Sequence, residues 1–268
     1  MGMFERIERV SLPVRDASAA AEWYVRKLGF AVAGGEAGTG EAVLKVGDGE
    51  TLLSLVERHP HRPLPHISKE GHTPHFNLFT PNANLRLADL RARGIRLTET
   101  VESPVLKCCE MYDVDDNVVG ICYEKPTSRY FVPSAELLPP LFTKVLAVFI
   151  PAVDLERAIR WYVGTLGFTL VHHWGGGADL RIGDGETIAT LIEIEPAAIG
   201  RLDLSTGEPF SYFTLKAADL EQAKARLERE GAETSPIRRS GPTCRFDVQD
   251  PEGWRIGVEE GRLPVFGR

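Results

Sequence analysis

The sequence predicts an α+β fold made of four βαβββ units, grouped as two tandem modules. Three observations carry this. Leu12–Phe30 (LPVRDASAAAEWYVRKLGF) recurs as Ile150–Phe168 (IPAVDLERAIRWYVGTLGF), an offset of 150 − 12 = 138 residues. Val46–Glu57 (VGDGETLLSLVE) recurs as Ile182–Glu193 (IGDGETIATLIE), an offset of 182 − 46 = 136. The same order of strand and helix signals then appears twice inside each copy. Self-similarity over more than a hundred residues marks a duplicated domain, and each copy has an ordinary domain size. The modules are placed at residues 1–125 and 140–268, joined by a proline-containing linker over 126–139.

Within the first module, Val10–Val14 reads as a strand and Asp16 as a helix cap. The helix keeps Ala20, Tyr24 and Leu28 on one face and stops at Gly29. Strand-like runs follow at Phe30–Ala33, Glu41–Val46 and Glu50–Val56, the last two joined through Gly47-Asp48-Gly49, a hairpin signal. The second unit opens with a strand at His75–Phe79. Asn82 is the expected cap of a helix that turns Leu87 and Leu90 inward before Gly94, and the last strand is Val118–Tyr123. The second module repeats this with a strand at Tyr212–Leu215, a cap at Asp219, inward Leu220, Ala223 and Leu227, and a stop at Gly231.

Composition narrows the function classes. The formal charge is −7 and the pI near 5.6, which lacks the basic stripe of a nucleic-acid binder and favours encounter with a cationic guest. No stretch has the length and apolarity of a membrane span, and the opening MGMFERIERV has no signal-peptide core, so a cytoplasmic location is expected. Four cysteines, Cys108, Cys109, Cys122 and Cys244, show neither CxxC spacing nor a disulfide framework and read as reduced thiols.

The paired Asp16…Trp23-Tyr24…Leu28-Gly29-Phe30 and Asp154…Trp161-Tyr162…Leu166-Gly167-Phe168, with the turn Asp250–Trp254 (DPEGW) and its counterpart Asp113–Asn117 (DVDDN), resemble the vicinal-oxygen-chelate superfamily. That superfamily holds glyoxalase I, extradiol dioxygenases and the fosfomycin- and bleomycin-resistance proteins. The resemblance covers nearly the whole chain. It implies that each module is a curled open sheet, a cup with flanking helices, that holds a ligand or metal. Carried over residue by residue, the family's four metal-ligand positions fall on Arg9, Ser54, His75 and Gly120, and on Ala147, Thr190, Tyr212 and Gly257. Glu8 stands one residue before the first of these.

Only His75 has the chemistry of a ligand. A zinc or iron site needs three or four donors, and a glycine supplies no side chain. The resemblance therefore implies a degenerate metal site, with no cofactor expected. The function expected is metal-independent binding or sequestration of a small organic molecule, by a monomer of paired modules or a homodimer, with no nucleic-acid or membrane partner. The alternative is a metal-dependent glyoxalase-like lyase or isomerase, or a dioxygenase. It would hold iron, nickel or zinc through His75 with His72 or His61 from the stretch His59–His75. Histidines among prolines and glycine otherwise read as a solvated loop, which is the reading given to His59, His61, His66 and His72. The cup-lining candidates are Arg9, Ser54, His75, Asn77, Thr190, Tyr212, His173, Trp174 and Glu259. Alternation sends one of His172 and His173 inward, where an imidazole and Trp174 would stack on a planar ligand. Glu57 and Glu193 fall on the outer face, in structural roles.

Overall fold

The computed structural model describes residues 2–35, 39–67, 73–133, 140–198, 210–240 and 243–260. In chain order the elements are β1 (Phe4–Val14), α1 (Ala17–Leu28), β2 (Ala31–Gly34), β3 (Glu41–Lys45), β4 (Leu52–Glu57), β5 (Phe76–Phe79), α2 (Leu87–Ala92), β6 (Arg96–Leu97), β7 (Val101–Glu102), β8 (Leu106–Tyr112) and β9 (Val118–Glu124). The second half supplies β10 (Lys144–Ala152), α3 (Leu155–Gly164), β11 (Thr169–His173), β12 (Gly177–Arg181), β13 (Ile188–Glu193), β14 (Phe213–Ala217), α4 (Leu220–Arg229), β15 (Arg238–Ser240), β16 (Thr243–Gln249) and β17 (Arg255–Glu260). The α+β class and the two tandem modules of curled, open sheet stand as the sequence predicts.

The chain forms two compact units whose limits differ from those of the repeats. A terminal unit contains Met1–Ser11 and Val148–Arg268, and a central unit contains Leu12–Ala147. The cause lies in strand pairing. The start of β1 runs antiparallel to β14, with Ile7 opposite Leu215 and Arg9 opposite Thr214.

In the terminal unit the strands run β15-β16-β17-β14-β1 in one group and β11-β12-β13-β10 in another. α4 covers the Phe246 side of the first group, where Lys224 Nζ stands 5.8 Å over the ring. α3 covers the second. In the central unit the end of β1 adjoins β4, with the Arg58 N–H donating to Val14 O at 3.0 Å, and the group continues through β3 to β2 under α1. The other group runs from β10 through β5-β9-β8 to β6.

Local chemistry explains the helices. Asp16, Asp154 and Asp219 each accept the backbone N–H three residues on, so α1, α3 and α4 start on side-chain caps. Glu57 accepts the Ala17 N–H at 3.0 Å, the structural role its outward position implies. α2 departs from expectation. Asn82 caps a preceding turn, accepting the Asn84 N–H at 2.9 Å, while α2 begins five residues later after Leu85 and Arg86 take positive φ. Leu85 and Leu90, rather than Leu87, fill the core there.

The repeated Trp-Tyr and Asp-turn motifs meet in both units. Tyr24 donates to Asp113 and Tyr162 to Asp250, each at 2.9 Å. Each turn is also tied back to a proline carbonyl. Asn117 Nδ2 donates to Pro13 O, and Trp254 Nε1 donates to Pro151 O, both at 2.8 Å. These landmarks recur because they lock a helix, a turn and a strand together.

Candidate functional site

Strand alternation assigns the face of each sheet turned away from its helix. In the terminal unit Arg245, Asp247, Gly257 and Glu259 oppose the Phe246 side. Their partners across the ladders are Thr214 and Lys216. Arg9 forms an ion pair with Glu259, and both are buried, at 6% and 2% exposure. Asp247 takes Arg238 and Arg245 and accepts from the Ser211 hydroxyl at 3.0 Å. A register irregularity between Ile7 and Arg9 buries Glu8 beside Arg9, where it pairs with Arg6 at 2.7 Å.

On the second group of the terminal unit, Thr190 donates to Asp179 at 2.8 Å. His173 lies 3.7 Å from Glu156 of α3, so it points to the helix side and does not line the cup. His172 takes the open face instead, 5.5 Å from the Trp174 ring. Trp174 is 45% exposed and covers Gly177 at the strand end. Tyr212 is buried and donates to Phe149 O at 2.9 Å, which ties it into the backbone. Burial, then the Asp250 carboxylate, pushes its hydroxyl well above the ordinary range, so it stays protonated.

In the central unit the open face of β8 and β9 carries Cys108, Glu110, Gly120, Cys122 and Glu124. Cys109 faces α2, near Arg91. Asn77 on β5 stands beside Gly120. In the segment leading to β5, His59 is exposed as the sequence suggests, whereas His61 and His66 are half-buried. Leu64 and Ile67 are buried, the Leu64 N–H donates to Asn117 Oδ1 at 2.9 Å, and His61 Nε2 meets Asp115 O at 3.0 Å. His66 Nε2 sits 2.7 Å from Glu110 Oε2. Packing of two apolar residues, Leu64 and Ile67, holds this segment down and carries the imidazoles with it.

His75 is 2% exposed, and burial lowers its pKa to about 4, opposed by a hydrogen bond to the Pro65 carbonyl and assisted by His66. It is neutral near pH 7. His72 lies outside the described residues. Ser54 bonds to Glu41 on the open face of β3 and β4.

The decisive geometry is at the two last-strand glycines. A Cβ on Gly120 would collide with Asn77 Oδ1 and stand 2.7 Å from Pro74 Cγ. A Cβ on Gly257 would stand 2.6 Å from Thr214 Oγ1 and 2.8 Å from Arg245 Nη2. The neighbouring strand's side chain occupies the space in which a carboxylate ligand would start. Among the described residues no three His, Cys, Asp or Glu side chains are gathered so as to hold a metal ion.

The profile of the Glyoxalase/Bleomycin resistance protein/Dioxygenase superfamily matches residues 6–119 and again 144–258. The chain belongs to this superfamily. Among solved structures, glyoxalase I from Zea mays superposes with a TM-score of 0.69 at 17% identity, covering 95% of this chain and 92% of that one. A Bacillus subtilis protein provisionally named a dioxygenase gives 0.70 at 12% identity, over 97% and 86% of the two chains. At such identities the likeness is one of fold. No curated protein matches the chain. No helix among the described residues is long and apolar enough to cross a membrane.

Sequence reasoning missed His66, Glu110, Cys108, Cys122 and Glu124 as residues of an open face. The signal was available: a hairpin centred on the turn Asp113–Asn117 pairs residues whose numbers sum to 230, which sets Cys108 opposite Cys122 and Glu110 opposite Gly120.

Proposed function

We propose that this superfamily member binds a small organic molecule without a metal ion, holding or sequestering it against an open sheet face. The observation that carries the reading is the pair of filled glycine positions. At Gly120 and Gly257 the side chains of Asn77 and Thr214 take the place of a carboxylate ligand. Arg9 supports it, because a guanidinium at the first-strand position, already paired with Glu259, places positive charge where a cation would sit. On this reading Arg9, Glu259 and Thr190 supply hydrogen bonds to a guest on the terminal unit, where His172 with Trp174 supplies an aromatic edge, and Asn77 serves a guest on the central unit.

The competing reading is glyoxalase-like lyase or isomerase, or dioxygenase, chemistry through His75 and loop histidines. One feature favours it: His66, brought down to Glu110, neighbours His75. Two imidazoles and a carboxylate are the donor types of a non-haem iron triad.

A thermal-shift panel containing bleomycin, catechol and other cationic and aromatic small molecules separates the two. A bound guest raises the melting temperature by mass action. The proposal expects at least one shift that is unchanged in EDTA. A shift abolished by EDTA and restored by Fe2+, Ni2+ or Zn2+ would overturn it.

A further inference from the structure

Cys108 and Cys122 are direct partners across the antiparallel β8–β9 ladder, on the open face of the central unit. Both are free thiols, Cys108 half-buried and Cys122 buried. Two buried carboxylates flank them. Glu124 Oε1 lies 3.5 Å from Cys122 Sγ, and Glu110 Oε1 is buried with no hydrogen-bond partner among the described residues. The proposed guest makes no use of this cluster.

We infer that Cys108 and Cys122 form a two-coordinate site for a divalent thiophilic ion of the mercuric type. Spacing supports it. Opposite residues of an antiparallel pair hold their Cβ atoms about 4.5–5.5 Å apart. With the two Cβ–Sγ bonds turned parallel, the sulfurs would keep that separation. A thiolate–metal bond is about 2.3 Å, so a linear S–metal–S bridge spans about 4.6 Å. A disulfide draws the Cβ atoms in to about 3.8 Å, closer than the ladder sets them. Zinc takes four donors, and among the described residues no group of three or more His, Cys, Asp or Glu side chains is placed to hold a metal ion.

Charge selects the valence. Burial, with help from Glu110 and Glu124, raises the Cys108 thiol, and Cys122 is raised well above its ordinary range, so both are protonated near neutrality. Binding is then an exchange: two S–H bonds break, two S–metal bonds form, and two protons leave to solvent. A divalent ion yields a neutral dithiolate. A monovalent ion yields an anion beside two buried carboxylates, which repel it. The same carboxylates make the free thiols poor nucleophiles.

The test is native mass spectrometry of the full reduced chain, given one equivalent of HgCl2 and then a hundred-fold excess of glutathione. The wild type and the C109S and C244S variants are expected to retain one mercury. C108S and C122S are expected to lose it. Peptide mapping of the wild type after alkylation gives a second readout that needs no folded variant: bound mercury should shield Cys108 from iodoacetamide. Loss of mercury from the wild type, retention by C108S or C122S, or full alkylation of Cys108 in its presence would overturn the assignment. Any of these results would leave the EDTA-independent binding of an organic guest intact.

Discussion

The two units share a frame and differ in chemistry. Each has an Asp-capped first helix, a Tyr–Asp bond at 2.9 Å and a turn tied to a proline carbonyl. On the open face of β14–β17 the terminal unit gathers ion pairs, Arg9 with Glu259 and Arg238 and Arg245 with Asp247. The open face of β8–β9 in the central unit carries two thiols, two carboxylates and a histidine brought from a loop. The difference teaches where the fold is tolerant. Residues that fix helix to turn cannot vary without loosening the unit, whereas open-face residues answer only to one another and to a guest.

The largest expected difference between the units comes from removing a carboxylate. Glu259→Ala removes a carboxylate paired with the buried Arg9 guanidinium and should cost about 3–5 kcal/mol in urea unfolding. Glu110→Ala acts on a part-buried histidine pair and should cost about 1 kcal/mol. Equal costs would refute the claim that the terminal face rests on buried charge. Next come the glycines. Gly120→Ala meets a short Asn side chain and a proline ring and should lose about 1–3 kcal/mol. Gly257→Ala should lose less, because part of what it meets is the mobile end of Arg245.

The pH responses should have opposite sign. Burial raises Asp250 from 3.8 to about 7, so the folded chain keeps a proton that the unfolded chain has released. Its contribution to stability falls as pH rises from about 4 to about 7. His75 drops from 6.5 to about 4, so the unfolded chain binds the extra proton and stability falls as pH drops from 6.5 toward 4. Urea midpoints between pH 4 and 8 should lose the first trend in Asp250→Asn and the second in His75→Gln. The smallest effect belongs to His173→Ala, an exposed residue beside Glu156, which should stay within about 0.5 kcal/mol of wild type.

The frame was legible in the sequence because its signals are local or duplicated: caps, hairpin glycines and a repeat that fixes element order. Last-strand register was legible too, since the DPEGW and DVDDN turns set Gly257 and Gly120 by counting. The helix after Asn82 was misplaced, because nothing local announces the positive φ of Leu85 and Arg86. His66 was missed because proline and glycine spacing suggests solvent, while Leu64 and Ile67 bury the segment against the sheet. The facing of His172 and His173 depended on an irregularity between Leu170 and His172, which alternation alone does not reveal.

The central claim is that neither glycine-ended face is an iron, nickel or zinc centre, and elemental analysis of untagged protein tests it most directly. The account predicts iron, nickel and zinc each well below one equivalent per chain, with His75→Ala indistinguishable from wild type. One equivalent of any of these metals, lost on His75→Ala, would contradict it.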